Sequence, residues 1–164
     1  MKTKVSRAIC LMTFFWIILI ILPASLLATH PFVPVETIDE GEISFYRYGD
    51  PTFTGADLLI TNQGTWEWFW RVHTSGIDPA PPLPEIDFET EMVIVAILGF
   101  QPSGGGPRIE ILAADLDHDC GCLRVTVEDD PSPGPLDVIT NPYHIVKQIK
   151  FFPSPVLFEH QKRE

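Results

Sequence analysis

The most chemically suggestive stretch of the sequence places three aspartates, one histidine and two cysteines within eight residues. These residues are Asp115, Asp117, His118, Asp119, Cys120 and Cys122. Aspartates at alternate positions resemble the start of an EF-hand calcium loop, which also needs a glycine at its sixth position and a bidentate glutamate at its twelfth. Here Cys120 and Thr126 occupy those two positions. The pattern therefore favours an acidic hairpin tip, with Gly121 taking a positive φ, over a calcium site.

The same tip also offers soft ligands. A closed zinc site takes four ligands, and His118, Cys120 and Cys122 supply three at most. A disulfide within Cys120-Gly121-Cys122 would close a very small ring and would be readily reduced. We therefore expect a pair of free or labile thiols first, a disulfide second and a metal third, and we predict no resident cofactor.

A glycine cluster, Gly104–Gly106, raises the question of phosphate binding. A P-loop needs a lysine followed by serine or threonine and then a helix, whereas Pro107 and Arg108 follow here. The cluster instead predicts a tight loop between strands. The sequence also contains no G-x-S-x-G or H-E-x-x-H motif, so we predict a domain without catalytic activity.

Loops carried by a rigid sheet often bind partners, and the glycine cluster lies in such a loop. Two further loops, at residues 131–135 and 141–142, are rich in proline and join predicted strands. The predicted protein-binding residues are Pro102, Ser103, Gly104, Gly105, Gly106, Arg108, Asn141 and Pro142.

The elements that must position these loops are mostly strands. Trp66, Phe69, Trp70 and His73 fall on one face of a predicted helix from Gln63 to His73. A continuous apolar run from Met92 to Leu98 predicts a strand buried on both faces. The other predicted strands cover residues 42–48, 57–60, 108–113, 123–127, 143–149 and 156–159. The fold class is therefore α+β, mainly β: one small domain of about seven short antiparallel strands, curled into a sheet or barrel-like core, with one Trp-rich helix.

The N-terminus has the pattern of an export signal. Basic residues precede an apolar run from Ala8 to Leu22, and Ala28 supplies a small residue for cleavage. The alternative is an uncleaved membrane anchor. We predict a signal at residues 1–28, an extended Pro-rich leader at 29–41, the β-rich domain at 42–159 and a tail at 160–164, in a secreted or envelope-located protein.

The charge composition of the chain limits the classes of partner that it can bind. The chain has 164 residues and a formal net charge of −11. Removal of the signal would make this charge more negative, because residues 1–28 contain basic residues but no acidic ones. So much negative charge repels phosphate backbones, which excludes nucleic acid as the expected partner. Membrane contact is expected only through the N-terminal segment, if it is uncleaved. Cleavage would also remove Cys10 and leave Cys120 and Cys122 in an oxidising compartment.

The order of several short motifs from Thr61 to Lys150 resembles the PrcB C-terminal domain family, named for a protease-complex assembly protein of the bacterial cell envelope. The motifs that follow the Trp-rich helix are Ile86-Asp87-Phe88, the run Met92 to Gly99, Pro102-Ser103-Gly104-Gly105, Ser132-Pro133-Gly134-Pro135 and Asn141-Pro142-Tyr143-His144-Ile145-Val146-Lys147. The resemblance implies a non-catalytic, envelope-associated domain that assists or stabilises a secreted protease complex. The alternatives are a protease inhibitor acting through the Gly-rich loop and a metal- or redox-responsive module at the Asp115–Cys122 tip.

Overall fold

The computed structural model describes residues 34–151 and 155–163, all within one unit of the chain, Pro31–Glu164. The elements in chain order are β1 (Glu36–Gly41), β2 (Ala56–Ile60), α1 (Gln63–His73), β3 (Glu91–Ile97), β4 (Arg108–Asp117), β5 (Cys122–Asp130), β6 (Tyr143–Ile149) and β7 (Val156–Lys162). Within these residues, the mainly β composition, the seven strands and the single helix are confirmed. The predicted export signal at residues 1–28 lies outside the described residues.

The strands form two sheets that are not closed into a barrel. One sheet has four strands in the order β1-β6-β3-β2, and the other has three in the order β4-β5-β7. All pairs in the larger sheet are antiparallel. In the smaller sheet β4 and β5 form an antiparallel hairpin, but β5 and β7 are parallel. Of the predicted antiparallel strands curled into a sheet or barrel-like core, the structure therefore shows open sheets and one parallel pair, β5–β7.

Helix α1 covers one face of the four-stranded sheet. The Asn62 side-chain oxygen accepts a hydrogen bond from Thr65 N (2.9 Å) and caps the helix. The aromatic face of the helix packs on Val93, Val95 and Ile145. The indole nitrogen of Trp66 donates to Pro84 O (3.0 Å), so the Pro-rich loop that follows α1 lies across the helix.

The other face of the same sheet packs on the three-stranded sheet. Met92, Ile94 and Val146 meet apolar residues of β4 and β5, among them Leu123 and Val125. Strand β3 is thus buried on both faces, as its continuous apolar sequence predicted. The result is three layers: helix, four-stranded sheet and three-stranded sheet.

Three segments differ from the prediction. Residues 36–41, expected in an extended leader, form the edge strand β1 and pair with β6. Residues 42–48, expected as a strand, form a bridge and a turn in which Arg47 has a φ of 52°. Residues 160–162, expected in a frayed tail, continue β7. Strand β1 has a single large apolar residue, Ile38, so its pairing depends on backbone hydrogen bonds that leave no periodic signal in the sequence.

Candidate functional site

Two of the predicted loops lie against each other. The Gly-rich loop at residues 102–107 exchanges backbone hydrogen bonds with the Pro-rich loop: Gly104 N donates to Leu136 O (3.0 Å) and Leu136 N donates to Gly104 O (3.2 Å). Gly134 N also donates to the Ser103 hydroxyl oxygen (3.2 Å). The structure therefore brings together the segments that the sequence proposed as one surface.

Glycine is required where the two loops touch. A Cβ atom on Gly134 would lie 1.9 Å from Gly104 O, and one on Gly106 would lie 2.5 Å from Gly134 N. Neither neighbour can move aside, because both belong to the backbone. On the other side of the loop, Gly105 N donates to the Glu42 carboxylate (3.1 Å). The Gly-rich loop is therefore held on two sides.

The predicted binding residues divide by exposure. Pro102, Gly105 and Arg108 are exposed, and Ser103 and Gly106 are half-buried. The remaining three, Gly104, Asn141 and Pro142, are buried.

Buried positions cannot present a binding surface, so the assignment of Gly104, Asn141 and Pro142 to one was wrong. The Asn141 side-chain nitrogen donates to Ser44 O and Tyr46 O, both at 2.9 Å, and so holds the segment that follows β1. A Cβ atom on Gly104 would lie 2.7 Å from Val138 Cγ2. These three residues lie beneath the surface and support the exposed loops.

An exposed group of apolar side chains, which no sequence motif predicted, lies beside the Gly-rich loop. We name it the apolar loop patch; it consists of Ile43, Tyr48, Leu136, Val138 and Ile139, which are 39–53% exposed. Its parts are joined: the Tyr48 hydroxyl donates to Ile139 O (3.2 Å), and Ile43 forms a bridge with Asn141. The available signal was the group of three large apolar residues in the segment 136–139, which belongs to no predicted strand and lies between prolines.

The charges around the apolar loop patch are mainly negative. Asp137 lies within it in sequence and is exposed. The Glu42 carboxylate lies at its edge, where it accepts the Gly105 hydrogen bond. The nearby cation Arg47 is paired with Asp50 (2.6 Å). An apolar surface with an acidic edge favours a partner that carries apolar side chains and positive charge.

The acidic tip forms the β4–β5 hairpin turn, as expected, with Gly121 at a φ of 64°. Asp117 Oδ1 accepts hydrogen bonds from Asp119 N (2.8 Å) and Cys120 N (3.4 Å). Its other carboxylate oxygen pairs with the Arg124 guanidinium. The hydrogen bond from Arg124, followed by that from Asp119 N, lowers the pKa of Asp117 below 3.8. Both carboxylate oxygens thus have protein donors, which gives no support to a calcium role for Asp117.

Cys120 and Cys122 form a disulfide, whereas the sequence favours free or labile thiols over a disulfide. Within the described ranges, the one cluster with metal-ligating geometry is Asp117, Cys120 and Cys122, whose ligand atoms lie within 4.8 Å of one another. His118 and Asp119 are not part of this cluster. Because the two sulfurs are bonded to each other, the cluster does not offer the thiolates that zinc needs.

A Ser–His–Asp arrangement exists that the sequence spacing did not reveal. The His73 Nδ1 lies 2.9 Å from the Ser44 hydroxyl oxygen, and its Nε2 lies 3.2 Å from Asp39 Oδ2. Asp39 also accepts a hydrogen bond from the Tyr143 hydroxyl (3.0 Å). These bonds lower the pKa of Asp39 against the opposing effect of burial. Ser44 and His73 are fully buried, so the arrangement links β1 to α1 and does not present a nucleophile to solvent.

A polar cavity of about 350 Å³ lies where the end of β7 approaches β2. His160 bridges two carboxylates there: Nδ1 lies 2.9 Å from Asp129 and Nε2 lies 2.9 Å from Asp57. Burial opposes protonation, but the hydrogen bonds to Asp57 and Asp129 outweigh it and raise the pKa of His160 above 6.5. In its charged form the ring donates from both nitrogens to carboxylates, and it then has no lone pair available for a metal or for general-base catalysis.

Comparisons with known proteins gave no match among protein-family models, curated proteins or solved structures. The resemblance to the PrcB C-terminal domain family therefore stays a prediction from the motifs.

Among residues 34–151 and 155–163, no helix combines the length and apolar character needed to cross a membrane.

Proposed function

We propose that this chain is an exported, non-catalytic domain that binds a protein partner through the apolar loop patch. The observation that carries the proposal is the exposure of five large apolar side chains on adjoining loops. Contiguous exposed apolar surface is typical of interaction sites in soluble proteins. The loops beneath the patch are fixed by backbone hydrogen bonds, so little ordering is needed on binding.

The chemistry of the patch defines the partner. Leu136, Val138 and Ile139 favour a protein segment with apolar side chains, because burying them removes apolar area from water. The carboxylates of Asp137 and Glu42, together with a chain net charge of −11, favour basic residues beside that segment. Complementary charge would speed the encounter and exclude acidic partners.

The motif order from residue 61 to 150 supports a more specific proposal: the partner is a component of a secreted or envelope protease complex, which this domain assists or stabilises. The predicted export signal supports this proposal, because it would direct the chain to the same compartment. An inhibitor that inserts its Gly-rich loop into a protease cleft is less well supported. That loop is bonded to Glu42 on one side and to Leu136 on the other, and so is not free to enter a cleft.

Site-specific photo-crosslinking tests the proposal. A photoreactive phenylalanine analogue placed at position 136 should form an adduct with the partner in the native envelope fraction. The matched control is position 149, because Ile149 is also a strongly exposed apolar residue but lies at the end of β6, outside the patch. Mass spectrometry of the adducts identifies the crosslinked protein.

We expect an adduct with a protease or a protease-assembly protein at position 136 and not at position 149. Val138→Asp should abolish the adduct while leaving the thermal unfolding midpoint nearly unchanged, because surface substitutions alter stability little. Equal labelling from positions 136 and 149 would rule out the patch as the binding site. A specific adduct with a protein unrelated to proteolysis would retain the binding function and reject the protease assignment.

A further inference from the structure

The Cys120–Cys122 disulfide is poorly explained as a structural crosslink. A disulfide stabilises a fold mainly by restricting the unfolded chain, and the effect grows with the length of the closed loop. Here the separation is 2 residues, close to the shortest loop a disulfide can close. The β4–β5 hairpin is already held by the pairing of nine residue pairs, from Arg108↔Asp130 to Asp117↔Cys122. The disulfide therefore adds little to the stability of the hairpin.

Accessibility distinguishes the two sulfurs. Cys120 lies in the exposed turn, whereas Cys122 begins β5 and is fully buried. Thiol–disulfide exchange proceeds by attack of a thiolate along a path to one sulfur atom, with the other sulfur leaving. The geometry makes Cys120 Sγ the sulfur that an incoming thiolate reaches and Cys122 Sγ the leaving group.

The charge at the tip selects among incoming thiols. A carboxylate oxygen of Asp117 lies within 4.8 Å of both sulfurs, and its hydrogen bonds keep it ionised. The Arg124 guanidinium pairs with both Asp117 and Glu159, and Asp119 adds an exposed carboxylate in the same turn, so carboxylates outnumber cations among these four side chains. Negative charge repels an anionic thiol and attracts a thiol flanked by lysine or arginine.

We propose that the Cys120–Cys122 disulfide is a thiol–disulfide exchange site that oxidises a cysteine pair of a protein whose flanking residues are basic. This activity is separate from binding at the apolar loop patch and does not depend on it. It suits an oxidising compartment, where such disulfides persist.

The exchange balances in two steps. A partner thiolate attacks Cys120 Sγ, the bond between the two sulfurs breaks, and its electron pair goes to Cys122 Sγ, which takes a proton from water. The partner's second thiolate then attacks the partner sulfur of the mixed disulfide and displaces Cys120 Sγ, which is protonated in turn. The partner loses two electrons and two protons, and Cys120 and Cys122 gain them. Each protein molecule therefore oxidises one cysteine pair of the partner and ends with its own disulfide reduced.

The test uses the full chain with Cys10→Ser, which leaves only the two tip cysteines. Two synthetic dithiol peptides serve as probes, one with lysines beside its cysteines and one with glutamates. Oxidation of each peptide and the appearance of free thiols at Cys120 and Cys122 are followed by alkylation and mass spectrometry. We expect one peptide disulfide per protein, formed about fivefold faster with the lysine peptide at low salt, and the difference should shrink as salt screens the charges.

Two variants define the mechanism. Cys122→Ser leaves Cys120 as a free thiol, and we expect it to form a stable mixed disulfide with a lysine-flanked peptide that carries a single cysteine and is supplied as its disulfide-linked dimer, because this peptide has no second thiol to displace Cys120. Asp117→Asn keeps the oxygen that caps the turn, and we expect it to reduce the rate ratio between the two peptides. Circular dichroism should show an unchanged fold after reduction.

Three results would overturn the proposal. In the first, dithiothreitol reduces the tip but neither peptide does. In the second, both peptides react at equal rates at low salt. In the third, reduction unfolds the hairpin, which would make the bond a structural crosslink.

Discussion

Single glycines decide whether the two loops beneath the apolar loop patch can meet. Gly134 lies against the backbone of Gly104 and Gly106, and such a contact has no flexible side chain to absorb an added atom. Packed sites of this kind respond to one extra methyl group with backbone shifts. The patch therefore depends on residues that have no side chain at all.

We predict that Gly134→Ala lowers the free energy of unfolding by about 2 kcal/mol, since overpacking typically costs about 1–3 kcal/mol. It should also weaken partner crosslinking from position 136, because Leu136 bonds to Gly104. Chemical denaturation measures the first effect and photo-crosslinking the second.

The control for this substitution is Gly64→Ala. Gly64 lies in α1, and a Cβ atom there would meet only Asn62 Oδ1, at 3.7 Å. Alanine is favoured over glycine in helices by roughly 0.5–1 kcal/mol, so this variant should be at least as stable as the natural chain. Equal stability of the two variants would show that the loop contact is not tight.

At the scale of elements, two histidines hold strands together in settings that favour opposite protonation states. His144 of β6 accepts a hydrogen bond from Ile111 N of β4 at Nδ1 (2.8 Å), so Nε2 carries the hydrogen and donates to Thr37 of β1 (2.9 Å). This geometry needs a neutral ring. His160 of β7 lies between carboxylates of β5 and β2, which favours a charged ring.

The pKa directions agree with these roles. Burial lowers the pKa of His144 below 6.5, against the weaker opposing effect of Glu40 and Glu110. The stability it contributes is therefore present above pH 6.5 and lost as the pH falls through its lower folded value. The pKa of His160 is raised above 6.5 by Asp57 and Asp129, against burial. Its contribution is present below pH 6.5 and lost as the pH rises through its higher folded value.

We predict that two variants change the pH profile of stability in opposite directions. His144→Gln should reduce the loss of stability on acidification below pH 6.5. His160→Gln should reduce the loss on alkalinisation above pH 6.5. The measurement is the unfolding midpoint in denaturant at several pH values between 5 and 8, and the slope against pH is the readout. Profiles parallel to that of the natural chain in both variants would contradict these roles.

At the scale of the whole molecule, the N-terminal boundary of the domain follows from sheet order. Strand β1 is an edge strand, yet it carries partners for side chains of two other elements, α1 and β6. Asp39 bonds to His73 of α1 and Tyr143 of β6, and Glu36 pairs with Lys147. Removing β1 would leave the buried His73 without its carboxylate.

We predict that a chain beginning at Pro34 folds cooperatively and that one beginning at Glu42 does not. Each buried polar group left without a partner costs about 1–3 kcal/mol, and several such losses approach the total stability of a small domain, about 5–15 kcal/mol. Near-ultraviolet circular dichroism and thermal unfolding compare the two chains. An equal unfolding midpoint for both would show that residues 36–41 are a dispensable leader.

Local sequence patterns determined much of this protein. The bounds of α1 and β6 match the predicted ranges, because the aromatic face of a helix and the apolar content of a core strand are encoded in adjacent residues. The double burial of β3 was also predictable, since a continuous apolar run needs cover on both faces. The acidic hairpin tip followed from Gly121 and its flanking strands.

The tertiary structure alone decided the pairing of strands and the exposure of loops. Strand β1 and the end of β7 lack an apolar pattern because edge strands are held by backbone hydrogen bonds, which every sequence offers equally. Asn141 and Leu136 lie in neighbouring loops that look alike in sequence, yet one is buried and the other is exposed. Exposure depends on which distant segment packs above a residue, and that is fixed only when the two sheets and the helix assemble.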